Sequence, residues 1–253
     1  MTRTASARRA ALPERPVVSV IVPVYNEADN ITPTLERLVA AVRTPMEILV
    51  VHDSDEDTTV PVVRALQPRM PQVRLHRNDL GRGVLNAMRA GIDAARAPYI
   101  VVSMADGSDD VEVIDQMVAL AQGGADVVAA SRYMRGGRQV GGPFLKGVLS
   151  RIAGLTLQWF GRVGTHDATN NFKLYSRRYL DTVSIESQGG FELALELTIK
   201  AALAGRTVRE VPATWRDRTA GQSRFQLRAW LPRYLHWYLS LFGGRARAVL
   251  RGT

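Results

Sequence analysis

Apolar positions in the first half of the chain fall into two alternating patterns. Residues 17–23 (VVSVIVP) form a short, nearly continuous apolar run, the signature of a strand buried on both faces. Thr32 followed by Pro33 marks a helix start, and Leu35, Leu38, Val39 and Val42 follow at helical spacing. The same reading gives a second buried strand over 46–51, a helix-length segment, a strand over 73–76 and a helix over 82–95. A strand over 99–104, a helix over 111–122 and a strand over 125–130 complete the series. Strands alternating with helices through short connections predict an α/β fold built on a doubly wound, mostly parallel sheet.

In such sheets ligands bind beyond the carboxyl ends of the strands. The first strand is followed by Tyr25-Asn26-Glu27, the second by His52-Asp53-Ser54-Asp55-Glu56-Asp57, and the strand over 99–104 by Ala105-Asp106-Gly107-Ser108-Asp109-Asp110. Three strand ends thus deliver carboxylates to one edge, a donor set suited to a hard divalent cation and to the hydroxyls of a nucleotide. No GxGxxG opens the first helix and no GxxxxGK[ST] occurs, which sets aside a dinucleotide-binding Rossmann site and a P-loop.

Composition sharpens this picture in two places. Cys is absent, which removes disulfides, thiolate metal sites and cysteine nucleophiles. The net charge of +9 sits at the ends: Arg3, Arg8, Arg9 and Arg15 oppose only Glu14, and Arg224, Arg228, Arg233, Arg245, Arg247 and Arg251 oppose no acid. A neutral body with basic ends argues against nucleic acid as a partner and suits an anionic surface such as a membrane leaflet, with solubilising tails as the plainer alternative. No stretch approaches the roughly 18–20 apolar residues of a membrane span, and no apolar core of a signal peptide follows the basic start. The expectation is a cytoplasmic protein, peripheral on the membrane face, divided into a basic tail (1–16), an α/β body (17–225), an amphipathic aromatic helix (226–242) and a second basic tail (243–253). That helix, with Trp230, Tyr234, Trp237, Tyr238 and Phe242 among its leucines, suits a membrane interface; closure of the core or an oligomer contact would explain it equally.

Several motifs carry a resemblance. Residues 18–27 (VSVIVPVYNE), the run from Asp53 to Asp57-Thr-Thr59, Leu80-Gly-Arg-Gly83 and Met104-Ala-Asp106 resemble the nucleotide-diphospho-sugar (GT-A) fold of the inverting family-two glycosyltransferases. Ser131-Arg-Tyr133, Asp167-Ala-Thr169 leading to Phe172-Lys-Leu-Tyr175, Glu210-Val-Pro212 and the segment Asp217-Arg218 to Arg224 resemble the branch of dolichyl- and polyprenyl-phosphate mannose synthases and their glucosyl relatives.

The resemblance implies transfer of a hexose, mannose from GDP-mannose, to a polyprenyl phosphate. It implies that Pro23, Tyr25 and Glu27 hold the base and ribose, with Val51 and Asp53 beside them, and that Ala105 and Asp106 meet the sugar nucleotide. Asp106 takes the place of the second Asp of the metal-binding DxD, with Ser108 as a further contact to Mg²⁺ or Mn²⁺; Met104 stands where the first Asp belongs, and Asp109 or Asp110 is either a compensating carboxylate or an acid at a helix start. Arg218, paired with Asp106 as catalytic, and Arg224 flank a Gly-containing loop that would close its guanidiniums on the diphosphate. Arg132, Lys146 and Ser150 are implied as contacts to the acceptor phosphate, although Lys146 also reads as the polar side of an apolar helix. A hydroxyl acceptor would need a general base, for which Glu192 and Glu196 are the candidates; otherwise they help shape the acceptor side of the site. A sugar-nucleotide-binding scaffold without activity is the third alternative, motivated by Met104.

Overall fold

A computed structural model of the chain describes residues 15–217 and 227–250, with side chains over 15–217 and 230–243. The expected lid arginines Arg218 and Arg224 lie outside the described residues, as does the basic tail up to Glu14; the side chains of Arg228, Arg245 and Arg247 are not described either.

The strands are β1 (Val18–Pro23), β2 (Met46–His52), β3 (Val73–Arg77), β4 (Tyr99–Val102), β5 (Val127–Ser131), β6 (Arg138–Val140), β7 (Lys173–Ser176), β8 (Val208–Pro212) and β9 (Thr214–Arg216). The helices are α1 (Ala28–Ala41), α2 (Thr59–Leu66), α3 (Val84–Ala94), α4 (Ile114–Gln122), α5 (Phe144–Trp159), α6 (Arg177–Leu180), α7 (Leu193–Leu203) and α8 (Leu227–Leu250). The main sheet has the order β3-β2-β1-β4-β7-β5-β8. β7 runs antiparallel to both β4 and β5, and the other pairs are parallel.

One consequence of the reversed strand matters for function. The carboxyl ends of β1, β2, β4 and β5 open on one edge of the sheet. Because β7 enters from that edge, the loop before it arrives there too.

Alternation along the strands builds the core. Val20, Val22, Ile48 and Val50 pack on one side of the sheet with α1 residues Leu35 and Leu38, while Ile21, Leu49 and Val51 pack on the other with Leu85 and Met88 of α3. A third cluster joins three helices: Leu157 of α5, Leu195 and Ile199 of α7, and Trp237 and Leu241 of α8.

Three expectations are corrected here. α1 starts at Ala28, a turn ahead of the Thr32-Pro33 signal, and carries Pro33 inside. The proline forgoes only a bond to the carbonyl of the exposed Asp29, and its fixed φ suits the helix. The segment over 111–122 opens as a 3₁₀ turn, Val111–Val113, before α4. The last helix does not stop at 242: it passes Gly243 and Gly244 to Leu250, because the six residues after them (RARAVL) are largely strong helix formers.

That helix is apolar on two sides. Trp237 and Leu241 are buried, while Leu231, Leu235 and Leu239 share an exposed face at a spacing of four. No helix among the described residues is long and apolar enough to cross a membrane.

Candidate active site

Parallel pairing of β1 with β2, in register Pro23↔Val51, sets the loops after these strands side by side. Asp57, buried at the start of α2, accepts the Asn26 N–H on both carboxylate oxygens at 3.1 Å and the Thr59 N–H at 2.8 Å. Thr59 Oγ1 in turn accepts the Glu27 N–H at 2.9 Å. These bonds hold Asn26 at a φ of 56°, a left-handed conformation Asn tolerates better than most residues. The Tyr25-Asn26-Glu27 turn is therefore fixed by α2, with Tyr25 exposed and the Glu27 carboxylate accepting from Asn30 Nδ2 at 2.7 Å. Pro23 and Val51 are buried at the strand ends, beneath this rim.

Asp53 stands on the same rim. It accepts Asn78 Nδ2 at 2.7 Å and the Gly83 N–H at 2.8 Å. Gly83 has a φ of 124°, which a side chain would strain, and that conformation aims its N–H at the carboxylate.

The loop after β4 is pinned from both sides. Thr34 Oγ1 of α1 lies 2.8 Å from the carbonyl of Ala105, and Arg37 donates to the carbonyls of Gly107 and Asp109. Asp106 turns the loop by accepting the Ser108 N–H at 3.1 Å. Asp109 is buried and accepts the Met104 N–H at 2.8 Å and Ser103 Oγ at 3.1 Å. Burial pushes the Asp109 carboxyl up to about 7; the Met104 N–H opposes the rise, and the charge of Asp106 adds to it. Asp110 points elsewhere, accepting the Thr214 N–H at 2.7 Å.

β6 and β9 cover this loop as a two-stranded parallel sheet. The Arg216 N–H donates to the carbonyl of Ser108 at 3.1 Å, so the last described residues before Arg218 lie against the Asp106-Ser108 turn.

On the other side of the edge, β5 delivers Arg132. Its guanidinium grips Asp167 through Nε at 2.7 Å and Nη2 at 2.9 Å, and its N–H adds a bond at 3.0 Å. Both residues are almost fully enclosed, and against that burial each holds the other charged: Asp167 raises Arg132, and Arg132 lowers Asp167 below the usual carboxylate range. Ser150 of α5 receives Arg132 Nη2 at 3.0 Å and lies 2.6 Å from Thr169 Oγ1. α5 comes this close because Gly154 sits against the carbonyl of His166, at 2.1 Å from where a Cβ would stand.

A cavity of about 210 Å³ joins the two sides. Met104, Asp106, Ser108 and Asp109 line it from the β4 loop, Arg132, Lys146 and Ser150 face it from the other side, and Trp215, Phe191 and Tyr234 close it. Its volume is below the roughly 300–1,000 Å³ of a pocket that encloses a whole small ligand, so it suits a headgroup.

The expected residues therefore divide. Asp106, Ser108, Arg132, Lys146 and Ser150 come together in one cavity; Pro23, Tyr25, Glu27, Val51, Asp53 and Ala105 lie outside its lining, on and under the neighbouring rim. Glu192 and Glu196 do not reach the cavity. Glu192 accepts the N–H groups of Gln188 and Gly189, and Glu196 those of Glu186 and Ser187, so both anchor the loop before α7 rather than serve as a base. Sequence reasoning assigned no role to Asp57, Asp167 or Thr169, although all three lie in motifs it singled out. Trp215 gave no signal, and Tyr234 was read only as one of the aromatics of the last helix, because only tertiary packing brings them to the cavity.

Residues 19–184 match the family described as Glycosyl transferase family 2. Polyprenol monophosphomannose synthase of Mycolicibacterium smegmatis is 30% identical over 92% of this chain and 91% of its own length. Undecaprenyl-phosphate mannosyltransferase of Micrococcus luteus is 31% identical over 82% of this chain and 86% of its own. Among solved structures, a mannosyltransferase of Pyrobaculum calidifontis in complex with GDP-Man and Mn²⁺ superposes with a TM-score of 0.62 at 20% identity, covering 92% of this chain and 65% of that one. The chain belongs to glycosyltransferase family 2: it is a nucleotide-sugar-dependent glycosyltransferase with the GT-A fold.

Proposed function

We propose that the protein transfers mannose from GDP-mannose to the phosphate of a polyprenyl phosphate, with inversion at the sugar's anomeric carbon. An oxygen of the lipid phosphate attacks that carbon, the bond to the nucleoside diphosphate breaks, and the products are a lipid-linked phosphosugar and GDP. A phosphate monoester is largely ionised near neutral pH, its second pKa being about 6, so the attacking oxygen carries no proton that a base must remove. The observation that supports this reading best is the composition of the cavity wall: Arg132, Lys146 and Ser150 converge opposite Asp106, while Asp106 and Asp109 are the only acids among its described lining residues. A buried guanidinium with a lysine beside it suits a phosphate by charge; a hydroxyl acceptor has no use for either cation. The names of the relatives point the same way.

The rim of Tyr25, Glu27 and Asp53 is assigned to base and ribose, with Pro23 and Val51 as its floor. Ala105 is assigned to the sugar nucleotide, and Arg218 and Arg224, outside the described residues, to its diphosphate. Asp106, Ser108 and Asp109 offer only oxygen donors, which fits Mg²⁺ or Mn²⁺. No group of three or more His, Cys, Asp or Glu among the described residues could hold a metal alone, so the donor's phosphates would complete the shell. The cation would supply Lewis-acid stabilisation of the departing diphosphate.

The lipid reading extends to a surface. Phe144, Trp159 and Phe160 are 85%, 64% and 71% exposed along and just after α5, with Leu145 and Ile152 between them and Leu235 and Leu239 on α8. Leu149 and Leu231 are exposed on these helices and also line the cavity, so the apolar face runs into its mouth. This face is proposed to rest on the membrane, aligning the acceptor's phosphate with Arg132.

Transfer of labelled sugar from GDP-mannose and UDP-glucose to undecaprenyl phosphate in anionic vesicles, with Mg²⁺, Mn²⁺ or chelator, tests the reading. Metal-dependent labelling of the lipid from GDP-mannose is expected. Labelling of hydroxyl acceptors alone would overturn it, and labelling from UDP-glucose alone would reassign the donor.

A further inference from the structure

Behind the Arg132–Asp167 pair stands a lysine that no step above uses. Lys173 opens β7 between Val102 of β4 and Ala129 of β5, at the centre of the sheet, and is fully buried. Lysine is almost never fully buried unless its ammonium is compensated. Here the compensation is backbone: Nζ donates to the carbonyls of Asp167 and Ala168, each at 3.1 Å, and to that of Asn170. An ammonium has three donors for three carbonyls, whereas a neutral amine has two. The charged groups facing Lys173 are Asp167, from the loop it binds, Arg132, from the end of β5, and Glu210, from β8. Burial pushes the ammonium down to about 7, with Asp167 and Glu210 resisting and Arg132 adding to the fall.

The three carbonyls belong to the loop that does the work at the cavity. Asp167 orients Arg132, Thr169 meets Ser150, and Asn170 and Asn171 line the wall. A buried cation is a poor way to gain stability, since replacing one with an apolar side chain of similar size is often neutral or favourable. Its location explains it better: the ammonium fixes the backbone that aims the carboxylate that aims the arginine, and it sets a second positive charge behind the place where a phosphate dianion would arrive.

We propose that Lys173 is a positioning residue for the acceptor phosphate, acting through the 167–170 loop on Asp167 and Arg132. This rests on the acceptor reading given above, and the experiment separates the two. Farnesyl phosphate, a soluble short-chain acceptor, and GDP with Mg²⁺ are titrated calorimetrically into wild-type protein and into Lys173→Met, Lys173→Gln and Arg132→Ala, with KM for donor and acceptor and the thermal midpoint measured alongside. The expected result is farnesyl phosphate binding weakened at least tenfold in Lys173→Met, with acceptor KM raised in step, and GDP binding and donor KM within twofold of wild type. Lys173→Gln, which retains a shorter donor, is expected to fall between. Equal weakening of both ligands, or of neither, overturns the proposal; failure of both Lys173 variants to fold would mark the residue as structural and overturns it as well. If Arg132→Ala keeps farnesyl phosphate, the acceptor reading itself fails; if Arg132→Ala loses it and Lys173→Met keeps it, only the role of Lys173 falls.

Discussion

The rim beside the cavity and the cavity wall around Arg132 are built by different means. On the rim proposed for the donor, carboxylates at successive strand ends are held by nearby backbone: Asp57 by Asn26 and Thr59, Asp53 by Gly83. Asp57 is buried under three such bonds, while Asp53 is only half-buried and also accepts from Asn78. On the acceptor side a buried ion pair is assembled from the end of β5, the loop before β7 and a face of α5, with a lysine beneath it. On the proposed reading the rim meets the nucleotide with a half-buried carboxylate at Asp53, where loss of one hydrogen bond leaves no stranded charge. The ion pair differs, because removing either partner strands a charge in a low-dielectric interior.

Four expected outcomes would break or sharpen this contrast. The largest is for Arg132→Ala, which should cost about 3–5 kcal/mol of folding stability in a denaturant titration and abolish measurable use of a prenyl phosphate. A loss below about 1 kcal/mol would show the pair to be no more than a surface bridge. Asp106→Asn should lower kcat by about 100–1,000-fold, as removal of one aimed electrostatic group does, with acceptor binding intact by calorimetry. Asp53→Ala should weaken GDP binding by about 10–100-fold, the worth of hydrogen bonds to a charged acceptor, and leave farnesyl phosphate binding unchanged. If it weakens both ligands alike, the two sides are not independent.

The smallest effect concerns an exposed pair next to the rim. Arg37 pulls the Glu112 carboxyl down to about 2, burial opposing. Since the folded value is depressed, this pair stabilises the protein above the ordinary glutamate range, and the contribution is lost as pH falls from about 4.5 towards about 2. Both side chains are substantially exposed, so Glu112→Gln should shift stability at neutral pH by no more than about 0.2–1 kcal/mol. The gap between this value and that for Arg132→Ala measures what burial does to an ion pair.

The same contrast governs what the chain reveals before it folds. The donor rim is legible because its residues follow apolar runs directly: once β1, β2 and β4 are recognised, Glu27, Asp53 and Asp106 must share an edge. Arg132 was found through Ser131-Arg-Tyr133, yet its dependence on Asp167 was not, because that pairing exists only after β7 inserts antiparallel between β4 and β5. Local periodicity carries no information on strand direction. The reading of 226–242 left open whether its apolar residues meet a membrane or close the core; Trp237 and Leu241 do the latter, and only packing on α7 tells them from the exposed Leu231, Leu235 and Leu239. Glu192 and Glu196 were candidates for a base only with a hydroxyl acceptor and otherwise for shaping that side of the site; the N–H groups they accept could not be read from sequence.

The central claim is that this cavity is built for an acceptor bearing a phosphate. It is tested most directly by the ratio of kcat/KM for farnesyl phosphate to that for farnesol, with GDP-mannose and Mg²⁺ held saturating. The account predicts at least a thousandfold preference for the phosphate, falling towards unity in Arg132→Ala; comparable rates on the two acceptors in the wild-type protein would contradict it.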